Sequence, residues 1–166
     1  YNYMDGPLKN LLVVDLTRVL VGPYCTMILS DLGARVIKVE APEIGDDSRK
    51  FGPFIKDYSA YFMSLNRGKE SIALNLKNNE EDKKIFDKIL SKADILVENF
   101  KPGTLEKWGF GWKDINKKYP KLIYASASGF GQTGPLKELP AYDMVVQGMG
   151  GLMSVTGQPN SEPTRV

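Results

Sequence analysis

Residues 11–40, LLVVDLTRVLVGPYCTMILSDLGARVIKVE, read as strand, turn, helix and strand. Leu11–Leu16 is a short apolar run rich in β-branched residues, of strand length. Gly22-Pro23 breaks it, and Pro23 suits the opening of a helix. Met27, Ile28, Leu29 and Leu32 then supply an apolar helical face, and Gly33 a C-terminal cap. Arg35–Val39 is the next strand. A crossover of this length closes a right-handed parallel unit. Ligands of open parallel sheets gather at the carboxyl ends of the strands, so the turn Thr17–Pro23 is the first place to look for a site.

Outward from this unit the same alternation continues. Ala41–Asp57 reads as a long polar loop, and loops of that length are often functional. Tyr58–Leu65 reads as a short aromatic helix, Asn66–Lys69 as a basic turn and Ser71–Leu76 as a strand. Asn79–Lys92 is an amphipathic helix, and Ile95–Val97 is a brief buried strand. Thr104–Trp108 and Lys113–Tyr119 are helices, Lys121–Ser128 is a strand, and Gly129–Ala141 is a second long loop. Tyr142–Val155 reads as one apolar helix with small-residue packing. Strands alternating with helices make the fold α/β, with a mainly parallel, doubly wound sheet.

Composition bounds the function. The 166 residues suit one domain, and 42% apolar with 25% charged residues is the balance of a soluble protein. A net charge of +2 makes no case for nucleic acid or an anionic membrane. No apolar run reaches spanning length and no signal peptide is visible. The lone Cys25 excludes an intrachain disulfide, fits a reducing compartment and reads as a buried small apolar residue. That compartment is the cytoplasm, or in a eukaryote the mitochondrial matrix or peroxisome. Histidine is absent, which removes Ser-His-Asp and Cys-His nucleophiles and His-based metal sites within this chain. Asp46-Asp47 has no His or Cys beside it, so no metal is expected.

Two motifs are candidates for chemistry. Gly129-Phe130-Gly131-Gln132-Thr133-Gly134 matches G-x-G-x-x-G literally, but Pro135 follows where a dinucleotide fingerprint needs a helix. It reads as a loop. Glu98-Asn99-Phe100 ends an apolar strand. There Asn offers a donor and an acceptor and Phe a face for a purine, or the pair forms a simple turn with a core Phe. Arg67, Lys69, Lys77, Lys101 and Lys107 flank strand ends and turns, as phosphate contacts or as solvated surface charges.

Several of these stretches together resemble the class III CoA-transferase family, which includes formyl-CoA transferase, carnitine CoA-transferase and α-methylacyl-CoA racemase. They are Val14–Pro23, Asp31–Glu40, Gly45–Arg49, Asn66–Lys69, Val97–Gly103 and Ser128–Gly131. The segment from Ala141-Tyr142-Asp143 through Ser154-Val155-Thr156-Gly157 looks most like the dicarboxylate branch, such as succinate–hydroxymethylglutarate CoA-transferase. The resemblance implies a Rossmann-like domain with coenzyme A, here a substrate, along its carboxyl edge. It implies that Leu20 and Val21 offer backbone to CoA and that the strand Leu74, Asn75, Leu76, Lys77 lines the adenine side. Asn99, Phe100 and Lys101 continue that wall, and Lys107 approaches a phosphate. Some members carry a basic contact where Ala41 stands here.

The resemblance further implies transfer of CoA from an acyl-CoA thioester to a free carboxylic acid through an aspartyl-CoA intermediate, in an interlinked homodimer. The nucleophilic aspartate is expected shortly beyond Val166, and Asp143 is not its match. The polar end at Val166 reads as the close of an amino-terminal portion, with the small domain missing and no activity of its own. The alternatives are a racemase of the same family and a non-catalytic CoA-binding module. In the racemase branch a histidine precedes the aspartate that Asp143 matches, where Tyr142 stands here.

Overall fold

A computed structural model describes residues 5–166. Two compact units divide the chain, a larger one ending at Ala127 and a smaller one, Ser128–Val166. In the larger unit, β1 (Leu12–Asp15), β2 (Arg35–Glu40), β5 (Glu70–Ala73), β6 (Ile95–Glu98) and β7 (Ile123–Ser126) form one parallel sheet in the order β5-β2-β1-β6-β7. Strand order therefore reverses between β1 and β6, with Val14 of β1 in register with Ile37 of β2 and Leu96 of β6. A separate two-stranded hairpin pairs β3 (Phe54–Ile55) with β4 (Tyr58–Ser59).

The pleat sends alternate residues of each central strand to opposite faces. Val13, Val36 and Val97 join Ala34 and Leu29 in one cluster, beside α1 (Val21–Asp31). Val14, Val39 and Leu96 meet Phe86 and Leu90 of α3 (Glu80–Leu90) and Ile115 of α5 (Trp112–Lys118) in the other. Both faces are covered, as doubly wound sheets require. α3 starts on Asn79, whose side chain accepts from the Glu81 and Asp82 amides, and carries three acidic residues in its first turn.

Several sequence expectations shift. α1 begins two residues before Pro23, which sits in the first turn where its missing N–H costs nothing. Gly33, at φ 100°, follows the last helical turn as expected. The buried face of α1 is Gly22, Pro23, Thr26 and Met27, while Ile28 and Leu32 are exposed and Leu29 is only partly buried. Cys25 is exposed, not buried, because it lies a quarter-turn away from that stripe. Tyr58-Ser59 is a strand, and the helix α2 (Ala60–Leu65) starts only after Ser59, whose hydroxyl caps it by accepting from Phe62 N–H at 3.1 Å.

The loop at 41–57 contains a 3-10 turn, Asp47–Lys50, and the first hairpin strand. The third parallel strand ends at Ala73, so Leu74–Lys77 is loop, not strand. In the smaller unit the expected long helix is interrupted: α6 (Asp143–Met149) stops at Gly150, Gly151 turns left-handed at φ 79°, and a 3-10 turn covers Leu152–Val155. No helix begins inside Gly129–Gly134, so that motif is a loop. α4 spans Thr104–Trp108. Among the described residues no helix is long and apolar enough to cross a membrane.

Candidate functional site: a cleft at the sheet's carboxyl edge

At the reversal of strand order the connections leave the sheet in opposite directions, which opens a crevice beyond the strand ends. The turn after β1 is built there, and its backbone is held at consecutive residues. Asp15, fully buried, accepts from the Thr17 amide at 2.8 Å and from the Thr17 and Thr26 hydroxyls. Lys38 Nζ donates to Thr17 O at 2.7 Å. Asn99, across the reversal on the turn after β6, accepts from Arg18 N–H and donates to Arg18 O, both at 2.8 Å. Asp46 Oδ1 accepts from Val19 N–H at 3.0 Å. Gly22 permits α1 to start over this turn, since a Cβ there would lie 2.2 Å from the Thr17 side chain.

Two enclosed ion pairs underlie the turn: Lys69–Asp15 and Lys38–Asp46, each at 3.0 Å, with lysine side chains 2% exposed. Lys69 also donates to Pro23 O and Asn66 Oδ1. Burial pulls the Lys69 ammonium below the usual lysine range, against the pull of Asp15. Burial works against the Asp46 charge, but Lys38 and the Ser48 amide and hydroxyl outweigh it and hold the carboxyl low. Glu40 behaves alike, its burial outweighed by Arg49 and Ser71. Asp47 pairs with Arg18 at 2.6 Å. Asp46 and Asp47 are thus each taken up by a basic side chain.

Above the turn lies a cleft of about 480 Å3, of small-ligand size. One wall is Leu16–Arg18, a second is Ala41–Asp46, a third is Leu74–Lys77, and Phe100 with Trp108 closes the end. Phe100 and Trp108 meet edge to face at 5.2 Å between centroids. Largely apolar walls, two aromatic rings and the cation Lys77 suit a flat heteroaromatic ring carrying phosphates, while Arg18 is paired with Asp47, and Glu40 and Asp46 of the lining with Arg49 and Lys38.

Of the sequence-predicted residues, Leu74, Asn75, Leu76, Lys77 and Phe100 line this cleft. Asn99 does not. Its side-chain amide is spent at both ends on the Arg18 backbone, so it acts on the site by holding the turn. Leu20 and Val21 are exposed at the amino end of α1, which has no side-chain cap. Lys101 and Lys107 are exposed and lie outside the lining. Arg18 and Ile44 line it too, inside the turn and the loop that the sequence had marked, and so does Trp108, which had not been singled out and which a five-residue helix brings back over Phe100.

Glu98, buried at the end of β6, accepts from the Phe100 amide at 2.8 Å and from the Ser126 hydroxyl. Burial raises its pKa, and those two donors only partly offset it. The folded state then keeps a proton that the unfolded chain has lost, so this group's contribution falls as pH rises from the ordinary glutamate pKa through the raised one. Glu98→Gln is expected to raise Tm at pH 7 and leave it unchanged near pH 4, as read by thermal melts across that range. A variant melting lower at pH 7 contradicts this.

The profile of CoA-transferase family III matches residues 8–166. The chain belongs to that family. The family III chain is 57% identical over 161 residues to the acetyl-CoA:oxalate CoA-transferase of Acetobacter aceti, covering 97% of this chain and 41% of that protein. It is 47% identical to the human succinyl-CoA:glutarate CoA-transferase, covering 96% of this chain and 36% of that one. A CAIB/BAIF family protein from Brucella suis superposes with a TM-score of 0.90 at 44% identity, over 97% of this chain and 43% of that one. The chain thus spans about two-fifths of the length of these relatives. Its parallel five-stranded sheet is the α/β fold that the resemblance implied.

Proposed function

We propose that the cleft binds the CoA part of an acyl-CoA thioester, and that the complete protein transfers CoA from that thioester to a free dicarboxylic acid. The observation behind this reading is the cleft's position at the reversal of strand order, with the Phe100–Trp108 pair and Lys77 in its lining. The relatives named for oxalate and glutarate point to dicarboxylates as acceptors. Leu74–Lys77 and Phe100 serve the adenine side, Leu20 and Val21 offer first-turn backbone, and Lys101 and Lys107 meet phosphate.

The nucleophile is an aspartate following Val166. Its carboxylate oxygen attacks the thioester carbonyl and expels CoA thiolate, leaving a mixed anhydride. The thiolate attacks the aspartyl carbonyl of that anhydride, releasing the donor acid and forming aspartyl-CoA. The acceptor carboxylate then repeats the two steps in reverse order and leaves as its CoA thioester, with the aspartate regenerated. The complete protein works as an interlinked homodimer, and the 166 residues by themselves turn nothing over.

Isothermal calorimetry of the full-length protein tests the placement. Phe100→Ala is expected to weaken CoA binding by about 1–3 kcal/mol, the worth of one aromatic against a base. Unchanged affinity, with the variant folded by thermal melt, removes Phe100 from the site.

A further inference from the structure

Val19 has φ 69°, in the left-handed region. For a β-branched residue this is a strained conformation, persisting only where neighbours impose it. Thr17 and Arg18 are held by Asp15 and Asn99, but the amide of Val19 itself is taken by Asp46 Oδ1. Asp46 belongs to the opposite wall of the cleft and is fixed in turn. Its other oxygen pairs with Lys38 at 3.0 Å, and Lys38 also reaches Thr17 O at 2.7 Å. Lys38 therefore grips both the loop and the turn, and neither side chain is more than 2% exposed.

We propose that the buried Lys38–Asp46 pair is a positioning device: it forces Val19 into the left-handed conformation and so presents the turn Thr17–Leu20, and the start of α1 behind it, to the ligand. Neither residue touches the ligand. The pair locks two walls of the cleft in a fixed relation, so that the strain at Val19 is met in folding rather than at binding. Preorganisation of this kind improves affinity by removing an ordering cost from the binding step. The ligand in this proposal rests on the CoA reading above, whereas the geometry of the turn does not.

Glycine adopts positive φ without penalty, so it separates this role from a purely structural one. If the pair serves to hold Val19, the turn of a Val19→Gly variant no longer needs it. In the full-length protein, calorimetry with CoA is expected to show Asp46→Ala binding about tenfold more weakly, the ratio that strain of this class is worth. In the Val19→Gly background the same substitution is expected to cost about threefold or less, a coupling between neighbouring sites that independent effects do not produce.

A crystal structure of Asp46→Ala is expected to show Val19 relaxed to negative φ. Equal losses in both backgrounds, or Val19 still left-handed in Asp46→Ala, overturn the proposal. Should Asp46→Ala not fold, the double variant Lys38→Met/Asp46→Leu, which replaces the enclosed pair by apolar side chains and leaves the Val19 N–H no acceptor there, is put through the same cycle under the same criteria. If the unsubstituted protein binds no CoA, the functional reading falls. The variant structure then still decides whether the pair sets the turn.

Discussion

Lys69→Met destabilises the protein by about 3–5 kcal/mol, because it leaves a buried carboxylate without its counter-charge. Asp15 is fully enclosed, and Lys69 is its cationic partner at 3.0 Å. The hydroxyls of Thr17 and Thr26 and the Thr17 amide continue to donate to Asp15, which softens the loss but supplies no charge. Lys69 also donates to Pro23 O and Asn66 Oδ1, so its removal takes the donor from Asn66 at the end of α2 and one of the donors from Pro23 O, which keeps the Thr26 hydroxyl. Adding Asp15→Asn is expected to recover part of the loss, since the neutral amide no longer demands a partner charge while keeping one acceptor oxygen. Urea titrations of the wild type, the single variant and the double variant measure this. A loss below about 1 kcal/mol for Lys69→Met, the worth of an exposed pair, means that the enclosed pair does not hold the turn. A double variant weaker than the single one contradicts the charge argument.

The second large effect is all-or-none. Incubated with a 2-methylacyl-CoA in deuterated water, the full-length protein is expected to leave the α-proton in place while passing CoA to added oxalate or glutarate. A racemase needs a base near neutrality beside the thioester carbonyl, and histidine suits that task best. These 166 residues contain none. Where the racemase branch of the family has its histidine, this chain has Tyr142, at the amino end of α6 and 75% exposed. Mass spectrometry of the recovered thioester reads deuterium, and chromatography of the dicarboxylate thioesters reads transfer. Rapid deuterium uptake without transfer overturns the transferase reading in favour of the racemase. The isolated 166 residues serve as the control, expected to do neither.

The order of elements, the parallel sheet and the carboxyl edge where the cleft lies were legible from the sequence. They follow from local periodicity and from chain connectivity. The run Leu12–Asp15, the turn before Pro23 and the cap at Gly33 are short-range signals, and a right-handed crossover leaves little freedom in how they assemble. Phe100 stands just past a strand end, a position that one-dimensional order already defines, whereas Leu74–Lys77 came from the family resemblance alone and was expected as strand.

Burial at single positions was decided elsewhere. Cys25 and Ile28 are as apolar as Met27, yet only the stripe that α1 lays on the sheet is covered, and helix rotation depends on packing rather than composition. The breaks at Ser59 and Gly151 depended on whether a short apolar run had a pairing partner or a surface to lie on. Above all, the charges beneath the turn were invisible. Asp15, Lys38, Asp46 and Lys69 lie up to 54 residues apart in the chain, and nothing in their local sequence pairs them. Only the tertiary structure puts them in contact and away from water. There Coulomb attraction and desolvation are both large, and the two ion pairs, together with Asn99, supply the hydrogen bonds to the backbone at Thr17–Val19.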